Sequence, residues 1–191
     1  MGRWAPDAGG RLARAALELY GEHGFDSTTA AEIAERAGLT ERTFFRHFAD
    51  KREVLFSGSG ALQAFLVSEV ENAPPTAAPI EAITAALDAA ATFFFEERRD
   101  FARQRQAIIA ANTELQEREL IKLAALAAAI AEALRRRGVG DPAASLAAEA
   151  GMAILRVAFG AWTADAGELS LPEHIRASAE ALRVAVCGQP D

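Results

Sequence analysis

The segment Thr28–Lys51 carries two short helix signals separated by one tight turn. Thr29 and Glu32 form a capping box, in which each residue caps a backbone N–H of the other, and this opens the first helix. Gly38 suits the left-handed position just beyond the end of that helix, and Thr40 is placed to cap the second one. Two short helices joined in this way are typical of a helix-turn-helix, whose second helix enters the major groove of DNA.

The second short helix has one apolar and one polar face. Phe44 and Phe48 lie four residues apart, so both point to the same side and can anchor the helix inward. Thr43, Arg46 and His47 then point elsewhere. Arginine suits guanine edges and phosphates, threonine suits phosphates or a thymine methyl, and histidine can donate to phosphate. The alternative is a packing unit of the same shape without a DNA-binding role.

The segment resembles the DNA-binding domain of the tetracycline-repressor (TetR) family over about residues 8–56. The resemblance rests on Gly24-Phe25, Thr28-Thr29, Ile33-Ala34, Ala37-Gly38-Leu39-Thr40, the run Thr43-Phe44-Phe45-Arg46-His47-Phe48, and Lys51. Beyond that stretch it covers only chain length and a helical pattern. Thr28 or Thr29, at a helix N-terminus, fits a phosphate contact. Phe45 is also a predicted DNA-binding residue; its position is often a tyrosine in the family, whose hydroxyl contacts phosphate, and phenylalanine cannot make that bond. The resemblance implies further DNA contacts by Thr29, Thr40, Arg42, Thr43, Arg46, His47 and Lys51.

The net charge of −7 does not exclude DNA binding, because the charge close to the phosphates decides attraction. Residues 42–52 carry four basic residues against one acidic residue. Arg3, Arg11 and Arg14 would extend this basic surface if the N-terminal arm faces DNA.

The remaining chain is rich in alanine and helical in pattern, with no strand signals. The clearest break in this helical pattern is the proline-rich run at residues 72–79. We expect an all-α chain of about nine helices. The resemblance implies a three-helix DNA-binding domain over 1–55 and a ligand-binding and dimerisation domain over 56–191. Outside the two short helices, the predicted helices cover about 8–23, 51–72, 80–97, 100–112, 113–137, 142–164 and 172–186.

The last two predicted helices carry apolar seams at heptad-like spacing. The resemblance implies that they pair with their copies in a homodimer, and the alternative is that both seams face their own core. Two copies about 34 Å apart read a palindrome, which gives the specificity that a single short helix lacks. The predicted interface residues are Leu146, Ala150, Val157, Ile175, Ala179, Leu182 and Val186.

Three consecutive phenylalanines, residues 93–95, cannot all face one side of a helix. At least one should face a cavity, a partner helix or solvent. The resemblance implies a cavity for a largely apolar effector, and an ordinary packed core is the alternative. Four nearby arginines suit either a solvated face or an anionic ligand such as a fatty-acyl coenzyme A: Arg98, Arg99, Arg103 and Arg105. The predicted pocket residues are Phe65, Phe93, Phe94, Phe101, Ile108, Ile109 and Trp162.

The helix-turn-helix pattern predicts a DNA-binding protein, and the resemblance implies a dimeric, ligand-responsive repressor. A small, largely apolar effector would release it from a palindromic DNA operator through a tilt of the fourth helix. The alternative is a helical adaptor without specific DNA binding. We expect neither an enzyme nor a cofactor, because the three histidines lie far apart and no phosphate-binding loop or metal-ligand spacing is present. A single Cys187 and no visible signal sequence favour the cytoplasm. No apolar run approaches a membrane span; the longest, Leu123–Ala131, stops at Glu132.

Overall fold

The structure is a computed structural model that describes residues 8–95, 98–167 and 169–188. Within these ranges the chain forms α-helices and one short 3-10 helix, Glu53–Phe56, and no strand. The prediction of an all-α fold with about nine helices is therefore confirmed. The α-helices are α1 Ala8–His23, α2 Ala30–Arg36, α3 Glu41–His47, α4 Ser59–Asn72, α5 Pro79–Phe95, α6 Arg99–Ala110, α7 Thr113–Arg136, α8 Ala143–Ala164 and α9 Leu171–Cys187.

The chain divides into two compact units. The first unit contains the residues up to Ser59 together with Gln104–Glu119, and the second contains Gly60–Arg103 together with the residues from Leu120 onward. The chain therefore passes from one unit to the other within α4, α6 and α7. A boundary at residues 55/56 stays a prediction.

The core of the first unit is built on the apolar face of α1. Leu12 and Ala16 on α1 are fully buried, and α2 and α3 contribute Ile33 and Phe44 to the same cluster. The 3-10 helix adds three buried side chains. Segment 104–119 completes this core with two residues that are no more than 1% exposed, Ile109 and Leu115.

The second unit is organised around α5, α8 and α9, which pack against one another. Gly151 on α8 explains how closely α5 approaches, because a Cβ atom there would lie 2.5 Å from Cγ2 of Ile83. Within the described part of the chain, no atom of another element lies within 4 Å of such a Cβ position at Gly160, further along α8. Only one of these two glycines is therefore needed for packing inside the chain.

α4 begins later than the sequence pattern predicts. The expected helix from Lys51 is replaced by the 3-10 helix, and α4 starts only at Ser59. Asp50 caps the 3-10 helix, since its carboxylate accepts hydrogen bonds from the backbone N–H groups of Arg52 (2.8 Å) and Glu53 (3.2 Å). Gly58 lies in the turn between the 3-10 helix and α4, where a glycine avoids the cost of about 1 kcal/mol that it has in a helix interior.

α8 is, within the described ranges, the one helix long and apolar enough to cross a membrane, with a mean hydropathy of 1.3. The prediction was made for uninterrupted apolar runs, and it did not consider α8 because Glu149 and Arg156 divide this helix into shorter runs. Its buried residues, including Ala148, Met152 and Ala158, belong to the core of the second unit. We interpret α8 as a core helix on this ground.

Candidate DNA-binding site

The two short helices have the caps that the sequence predicts. The hydroxyl of Thr29 accepts a hydrogen bond from the backbone N–H of Glu32, whose carboxylate accepts one from the backbone N–H of Thr29. The hydroxyl of Thr40 accepts from the backbone N–H of Thr43 at 3.2 Å. Gly38 adopts a φ of +65° in the turn, a conformation that costs other residues roughly 1–2 kcal/mol. Local chemistry therefore fixes the turn between α2 and α3.

α3 is anchored by its phenylalanines. Phe44 is fully buried and Phe48 nearly so, with their ring centroids 5.6 Å apart. The opposite side of α3 is exposed and contains Arg42, Phe45, Arg46 and His47, with Thr43 half-buried beside them. Among the residues that the structure describes, none forms an ion pair with the guanidinium groups of Arg42 or Arg46.

Two of the residues predicted to contact DNA, Thr28 and Lys51, direct their side chains into the protein. The side chain of Thr28 is 1% exposed, and its hydroxyl donates to the carbonyl of Gly24 at 2.8 Å. The ammonium group of Lys51 donates to the carbonyl oxygens of Phe25, Asp26 and Thr28. The prediction of phosphate contacts by Thr28 and Lys51 is therefore corrected, because internal carbonyl groups already use their donors.

Other basic side chains near the turn are also used internally. Nε of Arg11 on α1 donates to the carbonyl of Ala37 at 3.1 Å, at the end of α2. The guanidinium of Arg52 lies 2.7 Å from the carboxylate of Asp50. Arg14 is exposed, and Arg3 lies outside the described residues. The positive charge free to meet phosphate is therefore smaller and more concentrated on α3 than the sequence count indicates.

An ion pair fixes α2 against α1. Arg36 contacts the carboxylates of Glu22 at 2.9 Å and Glu18 at 3.5 Å. The hydrogen bond from Arg36 lowers the pKa of Glu22 below its ordinary value. All three side chains are well exposed, so these two ion pairs contribute little to stability.

The second unit contains a small apolar cavity of about 10 Å³. Ligand pockets commonly enclose about 300–1,000 Å³, so this cavity has to expand before an effector fits. Its lining residues come from α4, α5, α8 and α9. They are Leu62, Leu66, Leu87, Ala90, Ala91, Phe95, Leu155, Leu171 and Ile175.

The predicted pocket residues do not meet around this cavity. Phe65, Phe93 and Phe94 form an aromatic cluster in which the rings of Phe65 and Phe93 stack with centroids 5.5 Å apart. Phe93 is 73% exposed, so one of the three consecutive phenylalanines faces solvent as expected. Phe101 is partly exposed, and Trp162 is buried in the core of the second unit.

Ile108 and Ile109 require a correction. Both belong to α6, but they pack with the core of the first unit, and Ile109 is 1% exposed. The second half of α6 lies with the first unit, so these side chains line no cavity in the second unit. The prediction missed three residues that do line the cavity: Leu62, Leu66 and Leu87. They could have been found from the apolar residues that recur every three or four positions along α4 and α5.

The arginines near the phenylalanine run bind backbone carbonyl groups. Nε of Arg103 donates to the carbonyl of Thr163 at 3.0 Å. Nε of Arg105 donates to the carbonyl of Leu55 at 2.8 Å. The guanidinium of Arg99 lies over the ring of Trp162. Arg99 and Arg105 are therefore partly buried by internal contacts, whereas Arg103 makes internal hydrogen bonds and still lies on an exposed face.

The predicted dimer face is largely exposed. Leu146, Val157 and Val186 are 65%, 59% and 75% exposed. Ala150, Ala179 and Leu182 are half-buried. Ile175 is the exception, since it is fully buried in the core of the second unit and lines its cavity. Its place in an interface between copies is therefore corrected.

Comparison with known proteins agrees with this architecture. The family described as "Bacterial regulatory proteins, tetR family" matches residues 12–57, and the family described as "MftR C-terminal domain" matches residues 77–186. The regulator TcmR of Streptomyces glaucescens is 38% identical over 79 residues, which cover 41% of this chain and 35% of TcmR. The putative mycofactocin biosynthesis regulator MftR of Mycobacterium tuberculosis is 31% identical over 125 residues, 65% of this chain and 63% of MftR. The matches thus span about a third and just under two thirds of these relatives.

The solved structure of Thermus thermophilus FadR, a TetR-family transcriptional repressor in complex with lauroyl-CoA, resembles the whole fold. It is 25% identical, with a TM-score of 0.55 over 96% of this chain and 95% of FadR. TetR-family transcriptional regulators are not enzymes, so the expectation of no catalytic activity is confirmed. The chain belongs to the TetR family of bacterial regulatory proteins, which are DNA-binding transcriptional regulators, and its C-terminal domain is of the MftR type.

Proposed function

We propose that the chain is a dimeric, ligand-responsive repressor, which acts in the cytoplasm and is released from a palindromic operator by a small, largely apolar effector. The observation that carries the DNA-reading part is the construction of α3. Phe44 anchors this helix inside, while Arg42 and Arg46 are exposed without an ion pair to any described residue. Arginine is the side chain that most often recognises guanine in the major groove.

The exposed apolar residues of α8 and α9 support a homodimer. Leu146, Val157 and Val186 are each more than half exposed. A two-fold pairing of α8 and α9 with their copies would cover these side chains and present two α3 helices to successive major grooves. The operator would then be a palindrome.

We expect Arg46→Ala to reduce the preference for the operator by roughly 1–3 kcal/mol, because the variant loses one base-reading side chain. The operator is first identified by selection from random duplex DNA, and affinities are then measured by gel shift. Arg98→Ala is the matched control, since it removes an exposed arginine from the second unit. If both variants preferred the operator equally, our proposal that α3 reads the bases of the operator would be contradicted.

An apolar effector is supported by the cavity between α4, α5, α8 and α9, whose lining is entirely apolar. FadR, which shares this fold, binds lauroyl-CoA. We therefore propose a ligand with an acyl chain as the first candidate. Because the cavity is only about 10 Å³, the ligand has to bind a more open conformation. It weakens DNA binding only to the extent that it prefers this conformation over the DNA-binding one.

We expect lauroyl-CoA to raise the melting temperature of the free protein and to release the bound operator. Differential scanning fluorimetry and fluorescence anisotropy of labelled operator measure these two effects. Coenzyme A without the acyl chain should do neither, because the apolar cavity offers it no partner. If lauroyl-CoA changes neither the melting temperature nor the binding of the operator, the proposal of an acyl-chain effector is wrong. The proposal that α3 reads DNA is unaffected by that result.

The alternative function is a helical adaptor. The exposed apolar face of α8 and α9 would then bind another protein. Selection from random DNA distinguishes the two functions, because an adaptor enriches no sequence. Affinity that falls steeply with salt and prefers one palindrome supports the repressor.

A further inference from the structure

Lys51 occupies an unusual position for a basic residue next to a DNA-binding helix. It follows α3 by four residues, yet its Nζ lies 2.8 Å from the carbonyl oxygen of Phe25 and 3.1 Å from those of Asp26 and Thr28. It also lies 4.4 Å from the centroid of the Phe25 ring. These groups belong to the loop between α1 and α2.

The number of hydrogen-bond donors on the ammonium group limits what else Lys51 can do. Lysine carries three N–H donors and no acceptor. Three backbone carbonyl groups surround Nζ, so every donor has an internal partner. A phosphate contact would require at least one of these bonds to break and would leave a carbonyl group without its partner.

The backbone of Lys51 is held as well. The hydroxyl of Tyr20 on α1 donates to the carbonyl of Lys51 at 2.6 Å. Tyr20 is buried, and this burial raises the pKa of its hydroxyl, so the group stays a donor at physiological pH. The hydroxyl of Thr28 closes the arrangement by donating to the carbonyl of Gly24, just after α1.

We propose that Lys51 is a positioning residue for DNA recognition and not a phosphate ligand. Its ammonium group joins the turn after α3 to the loop before α2, and so fixes the angle at which α3 enters the groove. This inference rests on the proposed DNA-binding function. It differs from the role that resemblance to the family gives this position.

The two roles predict different salt dependence. Each phosphate contact contributes about 0.9 to the slope of the logarithm of affinity against the logarithm of salt concentration. Loss of a phosphate ligand lowers that slope and weakens binding to every sequence. Loss of a positioning residue leaves the slope unchanged and weakens binding to the operator more than to random DNA, because base contacts depend on the angle of α3.

The test compares Lys51→Met with the wild-type chain. Methionine keeps an apolar stem of similar length but has no donors. We expect operator affinity to fall about tenfold, the size of one lost base contact, while affinity for random DNA stays within about twofold and the salt slope is unchanged. Arg42→Met serves as the reference for an exposed basic residue on α3, and we expect it to lower the slope. Circular dichroism at the binding temperature establishes that each variant is folded.

Tyr20→Phe is the second variant, and it remains informative if Lys51→Met does not fold. It removes only the hydrogen bond to the carbonyl of Lys51 and changes no charge, so it cannot act through phosphate contacts. We expect a smaller loss, about threefold, again confined to the operator. A lower salt slope in Lys51→Met, or unchanged operator affinity in the folded variants, overturns the inference. Absence of operator preference in the wild-type chain instead contradicts the proposed function itself.

Discussion

Val157→Glu is expected to abolish dimer formation and to reduce operator affinity by about 10²-fold or more. Val157 is 59% exposed on α8, so a glutamate there leaves the core of the second unit intact. In a two-fold interface the same residue occurs on both copies, so the variant would bury two carboxylates in one apolar interface. Each monomer would then bind one half of the operator independently. It would lose the gain in affinity that comes from joining two DNA-binding units, which is typically 10²–10⁴-fold.

The measurement combines light scattering at micromolar concentration with a gel shift on the selected operator. Ala85→Glu is the matched control, since Ala85 is an exposed alanine on α5 outside the proposed interface. It adds the same charge and should leave both quantities unchanged. A wild-type chain that is monomeric, or a dimeric Val157→Glu variant, would show that α8 does not form the interface.

Phe44→Ala should destabilise the first unit by about 3–5 kcal/mol and eliminate DNA binding. Phe44 is the largest of the fully buried side chains, and it fixes α3 to α1 and α2 through the shared core. Its removal leaves a cavity behind the helix that reads DNA. Hydrogen–deuterium exchange of peptides covering α1–α3 measures the loss, because it reports on this unit separately.

The adjacent residue provides the control. Phe45 is 53% exposed, and its replacement by alanine should change stability by less than about 1 kcal/mol. The comparison separates burial from residue type, since both variants remove a phenyl ring from the same short helix. If the amide groups of α1–α3 were equally protected from exchange in the two variants, the anchoring of α3 by Phe44 would be contradicted.

The fold and the helix-turn-helix could be predicted from the sequence because their signals are local. Capping at Thr29 and Thr40 and the left-handed turn at Gly38 depend on residues within one or two helical turns. The inward face of α3 follows from the spacing of Phe44 and Phe48. The break before α4 was missed, because a carboxylate such as that of Asp50, which accepts from the backbone N–H groups of Arg52 and Glu53, can precede a 3-10 helix as well as an α-helix.

The partners of long side chains could not be predicted, because they lie far away in sequence. Lys51 binds carbonyl groups about 25 residues earlier, and nothing in its neighbourhood distinguishes this role from a phosphate contact. Ile175 and Val186 share one apolar pattern on α9, yet only the former is buried. Periodicity identifies the apolar side of a helix but not which part of it faces the core and which faces another molecule.

The contribution of segment 104–119 to the first unit has a consequence for how such a regulator can be recombined. Ile109 and Leu115 complete a core whose other members precede Ser59, so the DNA-reading part is encoded in two separate stretches of the gene. A single crossover after α3 would join a reader to a segment selected for a different core. We therefore expect an exchange of the N-terminal portion to keep the stability of the first unit only if segment 104–119 is exchanged with it.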